Sequence, residues 1–214
     1  MPFCQVKGVD IHYIAAGSEA NKSKSVVFIH GAGGNGKRWS YQLKAVSDEH
    51  YFVALDLPGH GQSGGNPCEQ IFLYREWVKE FLDAMGIGSV VVAGHSMGGA
   101  IAQDLAVKYP EMIKGLILVA TAARFKVDPA RLEALARGEK YRPEWVRLSF
   151  SSSAPAELLD EFVAESQKTD PGLYYIDLLA CNRFVMDKLN EIQVPTLVIC
   201  GTEDVSLPRN FPTF

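Results

Sequence analysis

Short Val-, Ile- and Leu-rich runs alternate along this chain with longer stretches whose apolar residues recur every three to four positions. A mostly parallel sheet with helices on both faces imposes that pattern, because its strands are covered on both sides and its helices on one. Seven runs have strand length. Phe3 to Lys7 and Asp10 to Ala16 flank Gly8 as a hairpin, followed by Ser25 to His30, Tyr51 to Asp56, Ser89 to Gly94, Gly115 to Thr121 and Thr196 to Gly201. Before the fifth run, Val78, Phe81, Leu82 and Met85 fall at i, i+3, i+4 and i+7, predicting a helix over Cys68 to Met85 that Gly86 and Gly88 end. A second helix is expected from Ser96 to Tyr109, stopped by Pro110, with Ile101 and Leu105 toward the sheet.

From Phe125 to Ile192 the strand rhythm stops. Several short helices are expected there, opened at Asp128-Pro129 and Asp170-Pro171, where Asp caps and Pro fits the first helical position. Leu158, Leu159, Phe162 and Val163, with the aromatics Trp145, Phe150, Tyr174, Tyr175 and Phe184, suit a layer packed over something apolar or an ordinary helical core. The expected organisation is an α/β core of residues 1–124 and 193–214 with a helical cap of residues 125–192.

Composition narrows the classes. With 214 residues, 47% apolar and 21% charged, the chain has enough material for one core and a sizeable insertion, and disorder is excluded as a default. A net charge of -4 with scattered Lys and Arg leaves no footprint for nucleic acid or an anionic membrane. The start lacks a signal-peptide pattern and no apolar run approaches the ~20 residues of a membrane span, so a soluble, cytoplasmic protein is expected. Cys4, Cys68, Cys181 and Cys200 lie far apart without metal-ligand spacing and read as free thiols; no metal is expected.

The candidate chemistry sits in Gly94-His95-Ser96-Met97-Gly98, at the junction of a strand and a helix. A serine on so sharp a turn is held in a strained conformation with its hydroxyl clear of the sheet, and the helix amino end offers N–H groups and a positive dipole to a developing oxyanion. Side chains at Gly94 and Gly98 would collide across the turn. The alternative is a helix-capping serine beside glycines chosen for packing.

Four motifs together resemble the α/β-hydrolase superfamily over nearly the whole chain: His30-Gly31-Ala32-Gly33-Gly34, Asp56-Leu57-Pro58-Gly59-His60-Gly61-Gln62-Ser63, the Ser96 turn, and Gly201-Thr202-Glu203-Asp204. The resemblance implies that Ser96 is the nucleophile, that the Ala32 and Met97 N–H groups hold the oxyanion, and that Asp204 rather than Glu203 is the triad acid. His30, Gly31, Gly94 and Gly98 support these motifs, and the Asp56 turn shapes a loop beside the site. The implied activity is hydrolysis of an ester or related acyl bond (thioester, lactone or carbon-carbon) of a small apolar substrate through an acyl-enzyme, without a cofactor. A serine nucleophile argues against the branches that use a carboxylate.

Two readings compete. Gly31-Ala32-Gly33-Gly34-Asn35-Gly36 also satisfies the dinucleotide pattern with Asp56 as its acid, and nearly the phosphate-loop pattern, in which Arg38 takes the Ser/Thr place; this nucleotide-binding reading leaves the Ser96 and Asp204 motifs unexplained. The second concerns the base. His12, His30, His50, His60 and His95 all precede Ser96, whereas the superfamily places its histidine after the acid. His12 and His50 read as surface or strand-end residues, His30 and His60 as local structure, and His95 as pointing away from Ser96. The expectation is therefore a hydrolase truncated or frame-altered near Phe214. It would lack the final strand and helix, its tail Pro208 to Phe214 is unlike a strand, and Thr196 to Cys200 is an apolar sheet edge. An inactive fragment or a ligand-binding member of the fold is the alternative.

Overall fold

The computed structural model describes residues 2–45 and 49–204; the tail Pro208 to Phe214 lies outside them. Its strands are β1 (Phe3–Val6), β2 (Val9–Gly17), β3 (Ser25–Ile29), β4 (Tyr51–Leu55), β5 (Val90–His95), β6 (Ile113–Val119) and β7 (Thr196–Ile199). They form one sheet in the order β1-β2-β4-β3-β5-β6-β7, antiparallel at β1-β2 and β2-β4 and parallel elsewhere. Lys7 and Gly8, both at positive φ, turn the hairpin.

Each central strand feeds two cores by alternation. Val27 and Ile29 of β3, Val53 and Leu55 of β4, and Val90 and Val92 of β5 join one buried cluster with α2 (Ile71–Ala84) and α3 (Met97–Lys108). Phe28, Ala54 and Ala93 join the other, with Trp39 and with Leu43 of α1 (Ser40–Lys44). Ile101 and Leu105 are wholly buried, as their helical spacing requires. At the far edge β7 pairs with β6 alone among the described residues and leaves Leu197 and Ile199 exposed.

Between β6 and β7 lie α4 (Pro129–Ala136), α5 (Pro143–Arg147), α6 (Ala156–Lys168) and α7 (Pro171–Arg183). Asp128 caps α4 through the Ala130 N–H (3.0 Å), and Asp170 caps α7 through the Gly172 N–H (2.6 Å), so both Asp-Pro starts form as their chemistry dictates. The ends of the insertion are stitched together by a bridge between Arg124 and Val185 and by the Met186 N–H donating to the Ala123 carbonyl (2.7 Å). The buried side chains Ala180, Cys181 and Phe184 extend the α2/α3 core into α7 and its C-terminal cap.

Candidate active site

Ser96 occupies the single residue between β5 and α3, at φ 52° and ψ -117°. The conformation is strained for any residue with a Cβ and is held from both sides: the Ser96 N–H donates to the Val119 carbonyl (3.0 Å), and the Thr121 hydroxyl donates to the Ser96 carbonyl (2.7 Å). A Cβ on Gly94 would lie 2.3 Å from the Gly98 carbonyl oxygen, and one on Gly98 would lie 2.3 Å from that of Ile29, so both collisions expected from the sequence are present. The Ser96 hydroxyl makes no capping bond, which removes the capping-serine alternative.

The glycine loop after β3 runs directly against this turn. The point a Cβ of Gly31 would occupy is 3.2 Å from Ser96 Cβ and 2.9 Å from His95 Nδ1. Three amides of the loop are engaged: Gly33 N–H with the Asp177 carboxylate (2.7 Å), Gly34 N–H with the Gly31 carbonyl (3.0 Å), and Gly36 N–H with Asp56 Oδ1 (2.6 Å). Among the described residues the Ala32 N–H has no acceptor. Met97 is buried at the first position of α3, where an N–H has no intrahelical partner. Two unpaired donors from separate segments thus lie beside the Ser96 turn, at the positive end of a helix.

The histidines divide by their partners. His30 accepts from the Leu57 N–H at Nε2 (3.1 Å) and donates from Nδ1 to the Gly31 carbonyl (2.9 Å), which fixes a neutral ring. Burial, then the neighbouring His60 charge, holds its pKa well below the imidazole range. His60 donates to the Pro58 carbonyl (3.0 Å) and to Asp177 (2.8 Å). Burial opposes its charged form, but the Asp177 charge and these bonds outweigh burial and raise the pKa. Both therefore serve local structure. His12 corrects its expectation as a surface or strand-end residue: it is buried, and its Nδ1 bonds Asp56 (2.8 Å), because the loop after β4 folds back over β2.

Asp56 also accepts from the Gly36 and Gln62 N–H groups, so the acid of the dinucleotide pattern is buried within its own loops rather than offered to a ribose. The glycine loop opens only a short turn at Gly36–Trp39 and the five-residue α1, not the long helix whose dipole would receive phosphate.

His95 is exposed at the end of β5. Desolvation and then the Arg38 charge lower its pKa, with Asp204 opposing. Strand alternation sends it away from Ser96, but at the end of β5 both side chains flank Gly31. Asp204 follows β7, its N–H donating to the Gly201 carbonyl (3.2 Å). Its neighbour Glu203 is committed elsewhere, accepting from the Ser151 hydroxyl and the Ser152 N–H (3.0 Å each). None of the five histidines bonds the Ser96 hydroxyl among the described residues.

The insertion supplies what sequence reasoning missed. Asp177, wholly buried, meets Gly33, His60 and the Tyr74 hydroxyl (2.6 Å), while the Tyr174 ring fills the space over Gly33. Arg38 pairs with Glu165 (2.9 Å) and lies over the Phe162 ring of α6. A signal existed: Asp177 stands on the same helical stripe as Tyr174, Ala180, Cys181 and Phe184, and a carboxylate on an apolar stripe must be paired. Among the described residues no three His, Cys, Asp or Glu side chains gather as a metal set, and no helix is long and apolar enough to cross a membrane.

Residues 24–160, more than half of the chain, match the family described as alpha/beta hydrolase fold. The chain belongs to that family. Within the alpha/beta hydrolase fold, it is 27% identical over 196 residues to the (E)-2-((N-methylformamido)methylene)succinate hydrolase of Acinetobacter baylyi, covering 87% of this chain and 74% of that one. It is 40% identical over 121 residues to the dihydrolipoyllysine-residue acetyltransferase component of the acetoin cleaving system of Cupriavidus necator; that match covers 55% of this chain and 31% of the relative's length. The structure of a thermophilic esterase superposes with a TM-score of 0.82 at 31% identity, covering 97% of this chain and 80% of that one. The chain spans about a third of the length of the Cupriavidus relative, and hydrolases stand among the other relatives it matches.

Proposed function

We propose that this chain carries the acyl-transfer site of a serine hydrolase acting on a carboxylic ester or related acyl bond of a small apolar substrate. The observation that carries the reading is the strained Ser96 turn lying against two unpaired N–H donors, Ala32 and Met97. The Ser96 oxygen attacks the acyl carbon as an imidazole base takes its proton, which that base then passes to the leaving alcohol, and the two N–H groups receive the charge that develops on the carbonyl oxygen. Collapse of the tetrahedral adduct expels the protonated alcohol and leaves an ester on Ser96, which water then cleaves. Asp204 is the acid that would orient that imidazole, a role none of the five histidines here fills by a bond to the Ser96 hydroxyl among the described residues. Residues 125–192 act as a cap over the site: α7 seats on Gly33 and α6 on Arg38, and the aromatic cluster of Tyr141, Trp145 and Tyr174 lies beside that seat.

Loss of the base from a serine hydrolase costs ~10⁶ in turnover. With no histidine bonded to Ser96 among the described residues both steps slow, but p-nitrophenolate leaves without a proton whereas water's attack on the acyl-enzyme still needs a base, so with this activated ester the intermediate accumulates. Incubation with p-nitrophenyl acetate followed by intact-mass and peptide mapping should show one acetyl group on the Ser96 peptide, absent in Ser96→Ala. Equal labelling of both proteins, or no labelling of the parent, would overturn the reading. Saturable ester binding without labelling would favour a ligand-binding member of the fold.

A further inference from the structure

We infer that Asp177, a residue of the insertion, is the positioning residue that aims the Ala32 N–H at the carbonyl oxygen of the substrate; this rests on the proposed role of Ala32. A peptide unit is planar, so the Ala32 N–H shares its plane with the Gly31 carbonyl and points the opposite way. That carbonyl is fixed by two donors, His30 Nδ1 (2.9 Å) and the Gly34 N–H (3.0 Å). The next peptide unit carries the Ala32 carbonyl and the Gly33 N–H, and the latter donates to Asp177 Oδ2 at 2.7 Å. Both planes flanking Ala32 are thus pinned, one from the core and one from α7.

The pin is well supported. Oδ2 of Asp177 also accepts from His60 Nε2 (2.8 Å) and Oδ1 from the Tyr74 hydroxyl (2.6 Å), so three donors from three segments converge on a carboxylate with no exposed surface. His60 and His30 pack tilted at 50° with ring centroids 4.9 Å apart, which links the two pins through one buried pair of rings. One helical turn before Asp177, the Tyr174 ring closes over Gly33; a Cβ there would lie 2.1 Å from Tyr174 Cε1. Gly33 at φ 63° therefore accommodates both the turn of the loop and the seat of α7. If α7 lifts, Gly33 loses its acceptor and only one of the two planes flanking Ala32, the one held at the Gly31 carbonyl, stays pinned, so Ala32 can turn about its own backbone bonds. Seating of the insertion and readiness of the oxyanion donor become one event.

The experiment uses the full chain and three variants, Asp177→Asn, Asp177→Ser and Asp177→Ala. Asn keeps an oxygen within reach of the Gly33 N–H, Ser is too short for the Gly33 and His60 donors that share Oδ2 but keeps a polar atom at the site, and Ala removes every polar atom. Two quantities are read: the amide hydrogen exchange of Gly33, and the rate and half-saturation of Ser96 acetylation by p-nitrophenyl acetate. The expected result is faster Gly33 exchange in the Ser and Ala variants with β3 still protected. Their maximal acylation rate should fall ~10²–10³-fold, as for loss of an oxyanion donor, with half-saturation little changed. Asn should restore most of both. A purely structural role would lower thermal stability without splitting the rate from half-saturation. Should Ala fail to fold, Ser carries the same test. Parent-like Gly33 exchange in folded Ser or Ala variants overturns the inference. If the parent itself shows no Ser96 labelling, the proposed function fails while the exchange measurement still reports whether Asp177 pins the loop.

Discussion

Replacing Ser96 by glycine should make the protein more stable than replacing it by alanine, the reverse of the usual order. At φ 52° and ψ -117° a residue with a Cβ stores about 1–3 kcal/mol of backbone strain, and glycine does not. Against this stands the larger entropy that glycine loses on folding, about 0.5–1 kcal/mol relative to alanine. The side chain adds little to either side, because the Ser96 hydroxyl makes no capping bond and alanine loses nothing else. The net is a stabilisation of Ser96→Gly over Ser96→Ala of about 0–2.5 kcal/mol, centred on ~1 kcal/mol. At about 2–4 °C per kcal/mol for a chain of this size, the two melting curves should separate by a few degrees, and urea midpoints should follow with equal slopes. Both variants lose the hydroxyl, so both should fail to take an acetyl group, which separates stability from chemistry. Glycine melting at or below alanine would refute the strain argument, and with it the claim that the fold spends stability to present this side chain.

Two further outcomes follow from the same geometry. Gly98→Ala drives a Cβ to 2.3 Å from the Ile29 carbonyl oxygen, a backbone atom held in the sheet, so unfolding in urea should show a loss of about 1–3 kcal/mol or more; parent-like stability would mean that the turn yields. His60, whose raised pKa exceeds the unfolded value near ~6.5, binds a proton more tightly when folded, so its contribution is full below that pH and fades as pH rises through the folded pKa. His30, held low, acts oppositely and costs stability only as pH falls below ~6.5. Urea unfolding across this range should therefore show a decline on the alkaline side that His60→Gln removes, and identical alkaline slopes would contradict the buried imidazolium.

What could be read in advance divides along a physical line. The strands, α2, α3 and both Asp-Pro helix starts are local events, decided by alternation, by helical spacing and by a cap within a few residues, and all seven strands stand where those patterns put them. The Ser96 turn was legible for the same reason, since the glycines it needs are two residues away on either side. Tertiary pairings were not. His12 reads as a surface or strand-end residue because nothing near it in sequence announces Asp56, 44 positions on. The glycine loop and Asp56 imitate a nucleotide fingerprint because a real bond, Gly36 N–H to Asp56, spans the 20-residue gap, but it closes the loop rather than opening it to a ligand.

Asp177 carries the point furthest, because its bond to Gly33 spans 144 residues and joins an insertion to a core loop. Burying an unpaired carboxylate is costly enough that its position on the apolar stripe of α7 demanded a cationic or donor partner, yet composition and spacing could not say which. Among the buried histidines the choice falls on His60 because its other nitrogen already faces a carbonyl, that of Pro58, leaving Nε2 free to donate to Asp177. His30, one ring away, is unsuited: its Nε2 must accept from the Leu57 N–H, so a second proton there would cost that bond. Two histidines in neighbouring loops thereby have their pKa values moved in opposite directions, His30 down by burial and His60 up by Asp177. That difference selects the ring that binds the insertion and leaves the other to hold the peptide plane of Ala32.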